Sequence, residues 1–171
     1  MKTLVLLTGP LGTNFKKINS ILTEDSKVCD LSSNSEYNAL WDNPTANIKK
    51  FNWEQSNYYV AAISCPTIND QLPAYFKFLN EFQKMDFRIV VAIVGTADVK
   101  RTTKYQKKML GRDANLEFYA SIEKLNNFCP IYISGDLLSM YKDEYCKFLQ
   151  NYLKVPLVLA TVPTVTETIN N

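Results

Sequence analysis

The chain has no histidine among its 171 residues. Imidazole is therefore excluded as a general base or metal ligand, and Ser-His-Asp and Cys-His nucleophile arrangements go with it. The four cysteines, Cys29, Cys65, Cys129 and Cys146, are far apart and fit no zinc-ligand or redox spacing, so they read as buried reduced thiols, and no metal site is expected. No apolar run approaches the length of a membrane span, and Leu4 to Leu7 is too short for a signal-peptide core. The expectation is a cytoplasmic protein with no membrane partner. Interior linkers, internal repeats and low-complexity segments are also missing. A formal net charge of +2 is too small to point to nucleic acid by itself.

What is present describes an ordinary globular chain, 46% hydrophobic and 21% charged. Its length suits one domain that buries a core without disulfides. We expect that domain over 1–160, with a threonine- and asparagine-rich tail over 161–171.

The opening stretch organises the rest. Lys2 to Thr8 is a buried strand by pattern, Gly9-Pro10-Leu11-Gly12-Thr13-Asn14 a glycine turn, and Ile18, Ile21 and Leu22 fall on one face of a following helix. Thr13 or Asn14 would cap that helix. The free amides and positive dipole end of a helix start suit a phosphate or sulfate, which makes Gly9, Gly12, Thr13 and Asn14 candidate ligand-binding residues. A Walker A loop is absent, because Asn14 and Phe15 stand where its second glycine and its lysine belong.

Further strands are expected at Lys27 to Leu31, Tyr58 to Ser64, Phe87 to Val94 and Pro130 to Ser134, with an edge strand at Pro156 to Ala160. Helices are expected between them. Ser35 to Trp41 is weakly helical and stops before Pro44. Asn69 or Asp70 starts a helix whose core stripe is Leu72, Tyr75, Phe76, Leu79, Phe82 and Met85. Asp98 opens another helix, and Leu116, Tyr119, Ile122 and Leu125 mark one after Gly111. Tyr141, Tyr145, Phe148, Leu149 and Tyr152 mark the last. The polar segment from Asn43 to Asn57 reads as a surface excursion or lid. Alternating strands and helices argue for a three-layer α/β/α fold with a mainly parallel sheet. Ligands then sit beyond the carboxyl ends of the strands, on a rim formed by residues 9–14, 64–67, 95–98 and 134–136.

The run from Lys100 to Arg112 is the second informative stretch. Lys100, Lys104, Lys107 and Lys108 cluster on a helix with Arg101 beside them, giving a basic face for a polyphosphate, a nucleic acid or an acidic protein.

The order of these features resembles the sulfotransferase family, which has a P-loop-like fold. Leu7 to Phe15 is similar to the family's first strand and loop, with Gly12 and Thr13 matching. Pro10 and Leu11 replace the loop cation and serine, and Lys16 or Lys17 would substitute from the helix. Ile89 to Val94, Asp98 and Thr102 resemble the strand, aspartate and serine of the 3′-phosphate site. The family's arginine falls on Gly95, with Lys100 and Arg101 nearby. Ile131 to Leu138 and Phe148 to Pro156 are similar to the closing strand and helix. The resemblance implies 3′-phosphoadenosine 5′-phosphosulfate, or its product, as ligand and sulfuryl transfer to a hydroxyl or amine. It implies ligand binding by Gly9, Gly12, Thr13, Asn14, Lys16, Arg101 and Thr102. The family's base, a histidine or glutamate, has no counterpart after Ser64-Cys65-Pro66; Glu36, Glu54 and Asp70 are the carboxylates open to that role. A non-enzymatic binding module and a divergent nucleotide kinase are the other two classes.

Overall fold

The computed structural model describes residues 1–154 apart from 14 and 97. The expected cap at Asn14, the edge strand at 156–160 and the tail at 161–171 lie outside the described residues. The fold is α/β, with a five-stranded sheet in the order β2-β3-β1-β4-β5, all strands parallel. The strands are β1 (Thr3–Pro10), β2 (Val28–Asp30), β3 (Tyr58–Cys65), β4 (Arg88–Gly95) and β5 (Ile131–Ser134). The helices are α1 (Phe15–Thr23), α2 (Tyr37–Asp42), α3 (Pro44–Asn47), α4 (Tyr75–Lys84), α5 (Val99–Leu110), α6 (Asn115–Glu123), α7 (Gly135–Met140) and α8 (Lys142–Leu153).

Every residue of β1 is buried. Its register sets Leu4 between Tyr59 and Ile89, and Leu6 between Ala61 and Val91. Because side chains alternate along a strand, Leu4 and Leu6 join one core while Val5 and Leu7 join the other. The first core is roofed by α2, α4, α6 and the residues Ile48, Phe51 and Trp53, the second by α1 and α8. β1 leads through α1 toward β2, whereas β4 leads through α5 and α6 to β5 on the opposite side. The connections leaving the adjacent strands β1 and β4 thus diverge, which opens a crevice at their carboxyl ends.

Several expectations are corrected. The segment at 43–57 is no lid. Ile48, Phe51 and Trp53 are buried there, and Trp53 meets Tyr59, Phe82 and Phe87 edge-on, with its indole N–H donating to the Ile48 carbonyl at 2.8 Å. Just before it, Trp41 stacks flat on Phe78 with ring centroids 3.9 Å apart. Pro44 begins a new helix at its first position, where a missing N–H costs nothing. α4 starts at Tyr75, and its neighbours Leu72, Phe76 and Met85 are exposed. α6 buries Phe118 and leaves Leu116 and Tyr119 in solvent, while α8 buries Cys146, Leu149 and Leu153 and exposes Phe148 and Tyr152. Of the thiols, Cys65 and Cys146 are buried, Cys29 is half-buried and Cys129 is exposed. Among the described residues β5 forms one edge of the sheet, and its Tyr132 faces solvent.

Candidate functional site

The glycine turn lies at the rim, as expected, but α5 runs across it. Gly9 is still inside β1, opposite Ser64. Gly12 has φ +101°, and a Cβ placed on it would stand 3.1 Å from the Tyr105 Cβ and 3.3 Å from the Thr102 carbonyl. Glycine is needed here both for the left-handed backbone and for the close approach of α5. Thr13 closes the turn by donating its amide and its hydroxyl to the Pro10 carbonyl, at 3.1 and 2.8 Å. The buried Gln106 locks α5 onto this turn. Its amide nitrogen donates to the Leu11 carbonyl and to the Asn115 side-chain oxygen, both at 3.0 Å, and its oxygen accepts from the Ala114 amide at 2.9 Å.

The other expected ligand residues are placed as follows. Lys16 lies in the first turn of α1. Asp98 caps α5 by accepting the Arg101 amide at 2.9 Å. The Arg101 side chain is exposed and makes no ion pair among the described residues. Thr102 is 1% exposed, and its hydroxyl donates to the Asp98 carbonyl at 3.3 Å, so it faces inward. Gly12 and Thr13 line one cavity and Thr102 another.

The cavity at the turn has a volume of about 470 Å³ and is bounded by Leu11, Gly12, Thr13, Asn19, Ser32, Ala62, Ile63, Ser64, Ile68 and Tyr105. That size falls in the range of small-molecule sites. Asn19 donates to the Asp30 carboxylate at 2.9 Å, and its own amide oxygen is shielded from solvent with no partner among the described residues. A second cavity of about 450 Å³ shares Ala62, Ile63, Ser64 and Ile68 with the first and extends to Tyr37, Asn38, Asp42, Thr67, Asn69 and Gln71.

The carboxylates that the sequence left open as bases are each paired with a cation instead. Glu36 meets Lys50 at 3.6 Å, Glu54 meets Lys2 at 2.8 Å and Asp70 meets Arg112 at 2.6 Å. Arg112 also grips Glu117, and these two carboxylates hold its guanidinium above its ordinary pKa. Asp42, on the second cavity, went unnoticed because its position on a short helix carries no motif. Gln106 was legible in principle: it sits four residues after Thr102 on the side of α5 away from Lys100, Lys104 and Lys107.

Beneath the rim, the Thr8 hydroxyl and the Tyr75 phenol share a hydrogen bond of 2.6 Å. Burial pushes Tyr75 well above its ordinary pKa, and burial also raises the Cys65 thiol and Tyr37. These groups are protonated at neutral pH, so Cys65 supplies no thiolate. Among the described residues no helix is long and apolar enough to cross a membrane.

Comparison with protein families, with characterised proteins and with solved structures gives no match to this chain.

Proposed function

We propose that the chain binds a phosphorylated adenosine ligand, of the 3′-phosphoadenosine 5′-phosphosulfate class, in the rim cavity beside Gly12. One observation carries the reading. A glycine turn, whose backbone a ligand can approach closely, borders a cavity that also offers the Ser64 hydroxyl and the Asn19 amide oxygen, unpaired among the described residues. A nucleotide brings both partners: phosphate oxygens for the donors, and ribose hydroxyls or an amino group for the acceptor. Thr102 is turned inward, so a second phosphate falls to Arg101, one helical turn before Tyr105 on the same flank of α5.

Turnover is a separate matter. Among the described residues no carboxylate lines the rim cavity, and the carboxylate of the adjoining one is Asp42. The reading is therefore a binding protein in which any sulfuryl transfer depends on Asp42 as base toward an acceptor seated between Asn38 and Gln71. Loss of a general base costs about a hundredfold or more in rate.

Calorimetric titration tests the binding. Adenosine 3′,5′-bisphosphate is expected to bind about tenfold or more tighter than adenosine 5′-monophosphate, the effect of one charge-assisted contact. Arg101→Ala removes that preference and spares the monophosphate. Ser64→Val weakens both. Equal affinity for the two nucleotides, or no binding of either, overturns the proposal.

A further inference from the structure

Two cavities meet at Val99, the first residue of α5. One is a surface furrow of about 410 Å³ walled by Lys100, Thr103, Lys104 and Lys107. The other, about 190 Å³, lies in the crevice where the connections of β1 and β4 diverge, between Pro10 and Gly95, and reaches the rings of Tyr119 and Tyr132 and the amide of Asn115. Both tyrosines are more than half exposed, at 56% and 62%. The three lysines make no ion pair among the described residues. Residues 99–112 contain six of the 19 basic side chains and no acidic one; Arg112 is held by Asp70 and Glu117, and the charged residues that wall the furrow are all lysines.

From the junction of a lysine furrow with an aromatic pocket we infer that this surface binds single-stranded nucleic acid. Phosphates run along Lys100, Lys104 and Lys107, and a splayed base enters between Tyr119 and Tyr132. Single strands are held by such a combination of a positive track with exposed rings on which bases stack. A duplex keeps its bases stacked inside, and a carboxylate-rich peptide matches the lysines but brings no planar ring. The pocket has room for one ring system, and Thr96 at its wall offers its hydroxyl to a base edge, while the Asn115 side chain is held by Gln106 and Thr103. This inference stands on the lysines of α5 and the crevice beside Gly95 and does not require a ligand in the cavity beside Gly12.

Fluorescence anisotropy with labelled single strands of about ten nucleotides, DNA and RNA, provides the test. Three lysine–phosphate contacts give a log-log salt slope of about −2. Replacing Lys100, Lys104 and Lys107 together by alanine removes binding. Since all three side chains are exposed, the variant folds, which its melting curve verifies. Tyr132→Ala weakens single-strand binding about tenfold, the scale of one lost stacking contact, whereas Tyr132→Phe retains it. A duplex of equal length binds more weakly and ignores both tyrosine variants. Failure to bind single strands at about 50 mM salt overturns the inference. So does equal binding of duplex or polyglutamate with no effect of Tyr132→Ala, which reduces the furrow to charge alone.

Discussion

At the scale of single residues, Gly12 and Gln106 decide how the rim is built. Giving position 12 a side chain imposes two costs, a disfavoured backbone and a contact of 3.1 Å with Tyr105. Gly12→Ala is expected to lower stability by about 1 to 3 kcal/mol. Adding Tyr105→Ala removes the ring contact at 3.3 Å but keeps the Cβ contact at 3.1 Å and the disfavoured backbone, so a double-mutant cycle by urea unfolding returns only a small part of the loss. Gln106→Leu keeps the volume of the side chain but leaves the Leu11 carbonyl and the Ala114 amide unpaired in a buried place. At about 1 to 3 kcal/mol for each orphaned group, the variant loses about 2 to 6 kcal/mol in the same measurement. A loss well under 1 kcal/mol would mean that Gln106 does not hold α5 down.

At the scale of elements, the strands were legible and the cover over one face was not. β1, β3 and β4 are continuous apolar runs because both of their faces are buried, and such runs announce themselves. The segment from Tyr37 to Trp53 covers the sheet with two short helices and a 3-10 turn. Each turn buries only one or two large rings amid asparagine and lysine, so neither a period of two nor one of 3.6 emerges. Its contribution is large all the same: Trp53→Ala is expected to cost about 3 to 5 kcal/mol, since the indole is 9% exposed and four other rings pack on it. A lid residue would cost almost nothing. The stripes of α6 and α8 were misread because tyrosine and phenylalanine also occupy their exposed faces, at Tyr119, Phe148 and Tyr152. Aromatic content identified these helices correctly and their inward sides wrongly.

At the scale of the whole molecule, the sheet order places the rim where the alternating pattern put it, and Gly12, Thr13 and Ser64 do meet at one cavity. That much followed from strand-to-helix alternation. The passage of α5 over the turn did not, because it rests on Gly12, Tyr105 and Gln106 meeting across more than ninety residues. The interior also fixes how the molecule responds to alkali. Tyr75, Tyr37 and Cys65 are buried in their neutral forms with raised pKa values. The folded state therefore holds protons that the unfolded state releases, and stability falls as pH rises. The stabilisation is complete below the unfolded cysteine value of about 8.5 and declines through the unfolded tyrosine value of about 10. Melting temperature measured across this range is expected to be level near neutrality and to drop from about pH 9. A flat profile would place these groups in contact with water.

The clamping of α5 by Gln106 has a consequence for digestion. The helix carries Lys100, Arg101, Lys104, Lys107 and Lys108, the side chains after which trypsin cuts, on a face open to solvent. A protease needs extended chain, so cleavage here waits for the helix to lift and unwind, and its rate tracks the population of that open form. Tryptic nicking between residues 100 and 112 is thus a clock for detachment of α5 from the turn. It runs slowly in the wild type and faster in Gln106→Leu, and it slows further when a ligand fills the rim cavity.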